Sequence, residues 1–216
     1  MENIAKEVPG PCHSFHAVLY IVLGMDIIML SLSELYREIE QCQKCRLHQN
    51  RTNTVPGEGV PRSRLMFIGE APGADEDRLG RPFVGKAGKL LDKALNALQF
   101  DRTKNFYICN VCKCRPDNNR TPMEDEAEAC LPYLRNQVAI VRPQIIVCLG
   151  ATAAKYVIAR DARITAIRGQ WFERKGYYML ATFHPAALLR DESKKRLFWE
   201  DLKKVKEKYD ALAEEQ

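Results

Sequence analysis

No stretch of this 216-residue chain is apolar for long enough to cross a bilayer. The nearest candidate, Ala17 to Leu30, is interrupted by Asp26 and lacks the basic start and small-residue cleavage site that frame a secretory signal. Residues 1–30 are therefore expected to be an N-terminal extension, either disordered or an artefact of start-site choice, since Met25 and Met29 could each begin the chain. Internal repeats and low-complexity tracts are missing, and after residue 30 there is no linker, which leaves one domain over residues 31–216. A large charge excess is missing too. The net charge of +5 suits a polyanionic partner without establishing one. What remains, 46% hydrophobic and 28% charged residues, is the composition of a globular domain with one substantial core. A cytoplasmic monomer with no membrane partner is expected.

Cysteine, by contrast, is plentiful. Eight cysteines in a chain too large for a disulfide-stapled miniprotein, with Cys42 and Cys45 at the C-x-x-C spacing, point to a metal or redox site in a reducing compartment. Cys114 and Cys130 would complete a set of four. Spacing alone leaves zinc and iron-sulfur open, because both accept four cysteines. The others, Cys12, Cys109, Cys112 and Cys148, are expected to be free thiols, and Cys112 is the rival to Cys114 as third ligand.

From residue 31 the chain alternates helical and strand patterns. Ser31-Leu32-Ser33-Glu34 caps a helix running to about Cys42. Short apolar runs at Leu65 to Ile68, Phe106 to Val111, Ile145 to Leu149 and Tyr178 to Phe183 predict buried strands. Helices are expected at Lys86 to Leu98, Met123 to Val141, Ala151 to Ile158 and Glu192 to Leu212. This alternation predicts an α/β fold, a three-layer α/β/α sandwich around a central, mainly parallel four-stranded sheet.

Ligands of such sheets bind beyond the carboxyl ends of the strands. Here the first strand ends at Gly69-Glu70-Ala71-Pro72-Gly73, the second at Asn110, the third at Gly150 and the fourth at His184-Pro185. A carboxylate, an amide and an imidazole are thus expected around one site. Singly, each has an ordinary alternative: Glu70 as a turn carboxylate, Asn110 as a strand-end cap, His184 as a satisfied structural histidine. Their joint placement favours function.

The segments Gly69-Glu70-Ala71-Pro72-Gly73-Ala74-Asp75-Glu76-Asp77, Gly80-Arg81-Pro82-Phe83-Val84-Gly85, Asn110-Val111-Cys112-Lys113-Cys114-Arg115-Pro116 and His184-Pro185-Ala186 closely resemble the signatures of the family 4 uracil-DNA glycosylases. These are iron-sulfur enzymes of the uracil-DNA glycosylase superfamily. The resemblance runs from about residue 33 to residue 205. It implies a monofunctional hydrolase of base excision repair that flips uracil out of single- or double-stranded DNA and leaves an abasic site. It also implies a 4Fe-4S cluster on Cys42, Cys45, Cys114 and Cys130, in a structural role beside the loop at residues 115–120. The acidic Glu70, where related glycosylases carry an apolar residue, favours family 4 over family 5.

Residue by residue, the resemblance makes Phe83 a stacking platform and Asn110 the uracil-reading amide, accepting from N3-H and donating to O4. Cytosine presents the reversed pattern. Glu76 is expected on the C5 side, against thymine's methyl. His184 would donate to O2 of the departing uracil, with backbone amides near Glu70 and Ala71 adding donors. Glu70 would stabilise the cationic sugar or orient water. Lys86, Arg115, Asn119, Arg120 and Arg190 are candidate DNA contacts, and of Leu188 and Leu189 the former is the preferred wedge into the vacated stack. No lysine in these motifs stands where a Schiff base would form, so strand cleavage is not expected. Two rival classes remain, an electron-transfer iron-sulfur protein and a catalytically silent nucleic-acid binding module. The first leaves Glu70, Phe83, Asn110 and His184 without a common task. A sliding clamp or other repair protein as partner is not legible in the sequence.

Overall fold

The computed structural model describes residues 31–174 and 176–214. The expectations for residues 1–30 lie outside them. Helix α1 (Leu32–Glu40) opens with the expected capping box: the Ser31 hydroxyl accepts from the Glu34 N–H, and the Glu34 carboxylate accepts from the Ser31 N–H. Strand β1 (Glu58–Gly59) and β2 (Leu65–Gly69) follow, then α2 (Ala74–Leu79), α3 (Lys86–Ala97) and β3 (Phe106–Asn110). The second half runs α4 (Glu124–Val141), β4 (Ile145–Leu149), α5 (Ala151–Val157), α6 (Ile164–Ile167), β5 (Trp171–Arg174), β6 (Tyr177–Thr182), α7 (Pro185–Arg190) and α8 (Lys194–Glu214).

The sheet order is β1-β3-β2-β4-β6-β5. Its four inner strands, β3, β2, β4 and β6, are mutually parallel and correspond to the four expected from sequence. The sheet nevertheless has six strands. β1 and β5 add antiparallel edges. Both escaped a reading built on buried apolar runs, β1 because it is two residues long and β5 because it is only half-buried.

Alternation along each inner strand feeds two cores. Met66, Ile68, Tyr107, Cys109, Ile146 and Cys148 face one side, with Leu35 and Ile39 of α1 and Leu131 and Leu134 of α4. Leu65, Phe67, Phe106, Ile108, Ile145 and Val147 face the other, with Leu91 and Leu95 of α3 and Phe198 and Leu202 of α8. This is the three-layer α/β/α sandwich. Registers Gly69 to Asn110 and Leu149 to Thr182 bring the carboxyl ends of all four inner strands to one edge.

Candidate active site

The loop after β2 is pinned to the end of β3: the Val111 and Cys112 N–H groups donate to the Gly69 and Glu70 carbonyls at 2.9 and 3.0 Å. Side chains crowd this junction so closely that only glycine fits at position 69. A methyl there would lie 2.4 Å from Asn110 Oδ1 and 2.5 Å from Phe83 Cζ. The amide and the aromatic ring therefore flank one backbone position. Asn110 is 1% exposed, and its Oδ1 is a buried acceptor with no partner among the described residues. The other such atom, Gln144 Oε1, precedes β4 at the opposite end of the sheet.

Phe83 occupies a left-handed backbone conformation, φ 54°, that a bulky residue adopts only when its surroundings impose it. Contacts on several sides hold the loop, among them the Arg102 guanidinium, which donates to the Phe83 carbonyl at 3.1 Å. Glu76 Oε1 accepts from the Val84 and Gly85 N–H groups, each at 2.8 Å, while Oε2 accepts from Gly73 N–H at 3.1 Å. On α3, Gly88 lets the Phe83 carbonyl approach, since a methyl at 88 would stand 1.9 Å from that oxygen. Glu76 is thus the brace between the two motif loops, a task its position in the sequence did not reveal.

The Phe83 ring centroid lies 5.8 Å from that of His184, with the planes 32° apart. His184 caps α7, its Nδ1 accepting from the Ala186 N–H at 3.1 Å. That bond fixes the neutral tautomer with its proton on Nε2. Burial, reinforced by the Arg190 charge and opposed by Glu76, holds the imidazole down at about 4. Close packing of Gly150, whose φ is 97°, against His184 Cβ brings the β4 and β6 ends together. Glu70 accepts a hydrogen bond from the Thr152 hydroxyl, in the first turn of α5. Thr152 was missed; the one signal for it was a hydroxyl two positions after a strand end that otherwise carries no polar side chain. Ala71 lies partly buried in the same loop.

Around the rim, Lys86 is exposed in the first turn of α3 and Arg190 is exposed beside His184. Arg115 donates to Asn119 Oδ1 at 2.8 Å, in a loop where Asn118 and Asn119 both have positive φ. Arg120, expected to contact phosphate, is engaged within the protein. Its guanidinium grips the fully buried Glu126 through bonds of 2.8 and 2.6 Å, bracing the start of α4. The wedge preference also needs correction: Leu188 is 2% exposed, packed in the second core, whereas Leu189 is 50% exposed. Adjacent residues of this six-residue helix point about 100° apart, so Leu188 takes the core side and Leu189 the solvent side.

On the other face of the sheet, Cys42, Cys45, Cys114 and Cys130 line one small cavity, with Arg51, Lys113 and Tyr133 among its walls. Cys112 is not part of that lining and is fully buried. Two sulfurs already receive N–H donors, Cys130 from Lys113 N–H at 3.4 Å and Cys114 from Arg51 at 3.3 Å. Arg51 also donates to the Cys42 and Glu40 carbonyls, tying the end of α1 to the cavity, and nothing in its sequence context marked it. Among the described residues, no three of His, Cys, Asp or Glu stand closely enough to hold a single metal ion. No described helix is long and apolar enough to cross a membrane.

The Uracil DNA glycosylase superfamily profile matches residues 56–203. A type-4 uracil-DNA glycosylase of Sulfurisphaera tokodaii is 45% identical, covering 83% of this chain and 85% of that protein. One from Thermotoga maritima is also 45% identical, covering 81% of this chain and 93% of its own length. A type-5 uracil-DNA glycosylase of Pyrobaculum aerophilum is 32% identical and covers 62% of this chain. Together with the preference for type 4 that Glu70 carries, these matches place the chain: it belongs to the uracil DNA glycosylase superfamily and, within it, to the type-4 uracil-DNA glycosylases.

Proposed function

We propose that this chain excises uracil from DNA, hydrolysing the N-glycosidic bond and leaving an abasic site, with one domain from residue 31 onward carrying the activity. The observation that supports the pocket assignment is the unpartnered Asn110 Oδ1, buried beside the Phe83 ring. A buried acceptor left without a donor costs about 1–3 kcal/mol, so this site favours a ligand that brings an N–H. Uracil N3-H is such a donor. Phe83 stacks on the flipped ring, and Glu76 fixes the loop that stands on its C5 side.

Bond cleavage builds negative charge on the uracil and positive charge on the sugar. His184, neutral with its proton on Nε2, donates to O2 of the leaving base, and backbone N–H groups near Glu70 and Ala71 assist. Glu70, oriented by Thr152, faces the cationic sugar and the attacking water. Lys86, Arg115, Asn119 and Arg190 contact phosphates around the pocket, and Leu189 fills the vacated stack.

The four-cysteine cavity fits a 4Fe-4S cluster. A zinc ion needs every sulfur about 2.3 Å from one point, whereas these four thiols surround a cavity without three of them converging on a single ion. Cys42, Cys45, Cys114 and Cys130 would hold the cluster. Bound there, it supplies cross-links between the end of α1, the loop after β3 and α4. Release of free uracil from a uracil-containing oligonucleotide, in chelator and without added metal or nucleotide, is the test. A protein with a full brown cluster that releases none would be a nucleic-acid binding module instead.

A further inference from the structure

Between the pocket and the cysteine cavity lies a lysine with no role in the chemistry above. Lys113 is 1% exposed. A buried ammonium is tolerated only where its donors find acceptors. Its Nζ donates to the Asn110 backbone carbonyl at 2.5 Å and to Gln137 Oε1 at 2.6 Å. Gln137, fully buried on α4, donates in turn to the Pro56 carbonyl at 2.7 Å and the Tyr107 hydroxyl at 2.9 Å, and the Tyr107 and Tyr36 hydroxyls meet at 2.6 Å. The lysine main chain is held as firmly. Its N–H donates to Cys130 Sγ, and its carbonyl accepts from Val55 N–H at 2.7 Å.

Lys113 therefore turns its side chain back along three residues of its own chain to grip the strand end that carries Asn110, while its main chain is fastened at the cysteine cavity. An apolar residue would fill the same volume without the desolvation penalty of a charge. What the ammonium adds is a fixed position for the Asn110 carbonyl. The amide is aimed from that peptide, and its Oδ1 has no partner among the described residues to hold it otherwise.

We infer that Lys113 is a positioning residue that aims the uracil-reading amide of Asn110 and ties that aim to the four-cysteine centre. The inference rests on Asn110 being the uracil reader. Lys113→Met keeps the length and removes the donors. It should lower kcat/KM for uracil release about tenfold, the scale of one hydrogen bond to a charged group, and raise the inhibition constant of free uracil by the same factor. Affinity for DNA containing an abasic site should change less than about twofold, and cluster absorbance per chain should be unchanged. In an Asn110→Ala background the same substitution should alter excision by less than about twofold, because no amide is left to aim.

A tenfold loss in both backgrounds, or wild-type affinity for free uracil in Lys113→Met, overturns the inference. Should Lys113→Met lose the cluster, Gln137→Leu removes one lysine acceptor while leaving every cysteine in place, and the same cycle decides with it. Wild-type protein that releases no uracil overturns the Asn110 assignment and the role of Lys113 together. An active wild type with multiplying effects overturns only the latter.

Discussion

Replacing Asn110 by alanine should separate activity from stability more cleanly than any other single change in this protein. Among the described residues Oδ1 is buried and unpaired, so truncation removes an atom that the folded state holds at a cost. The loss of packing is thereby offset, and thermal stability should stay within about 1 kcal/mol of wild type. In the complex the balance is opposite, because uracil N3-H and O4 would be buried without partners. At about 1–3 kcal/mol for each group, and allowing for partial replacement by water, roughly 3 kcal/mol of transition-state stabilisation disappears, about a hundredfold in kcat/KM. The assay is release of free uracil from an oligonucleotide carrying one U·G pair, at limiting substrate, beside a melting curve of the same preparations. A loss below about tenfold would refute Asn110 as the reader. Equal losses of stability and activity would mean that the side chain is a strand-end cap.

The adjacent leucines should divide in the same way: Leu188→Ala, from a site 2% exposed, should cost about 2–5 kcal/mol of stability. Leu189→Ala should leave melting within about 0.5 kcal/mol and slow excision from double-stranded DNA more than from single-stranded DNA; equal slowing on both substrates would remove it as the wedge. Cys114→Ala should abolish the visible absorbance of the cluster and Cys112→Ala should retain it, and the reverse pattern would exchange the third ligand. His184 is held at about 4 in the folded chain, against about 6.5 when unfolded, so between those values the unfolded chain binds the extra proton. Its contribution to stability is complete above about 6.5 and is lost as pH falls toward 4. Wild type should thus lose more stability than His184→Gln between pH 7 and pH 4.5 in parallel melts, and identical pH profiles would show that the imidazole is not held neutral.

The inner sheet was legible because each of its strands is a five- or six-residue apolar run bounded by turn residues, and a strand buried on both faces has that signature. The edge strands lack it. The site was legible at the level of which residue types stand at strand ends, since chain order and parallel pairing alone bring Gly69, Asn110, Gly150 and His184 to one edge. Side-chain direction was not. Whether Leu188 or Leu189 faces solvent depends on the rotation of α7, fixed by its packing against α3 and α8. The partners of Arg120 and Glu76 were hidden for a related reason. A guanidinium in a polar loop looks the same in sequence whether it meets phosphate or the buried Glu126, and the bonds of Glu76 reach backbone up to nine positions away.

These hidden partners explain how the proposed pocket can be held although its walls are loops. Phe83 sits at a backbone angle it would not choose, and it is kept there by the Glu76 carboxylate on one side and the close approach to Gly88 on the other. Asn110 is held by a different set, the strand itself, the Lys113 ammonium and the two bonds that pin Val111 and Cys112 to the loop after β2. Neither set depends on uracil being present. On the proposed assignment, the Phe83 ring and the Asn110 amide are positioned before the base arrives, so flipping need only supply the energy of unstacking, not that of building the pocket. A site organised this way discriminates by what it leaves unpaired. Cytosine would bury a donor against a donor and an acceptor against Oδ1.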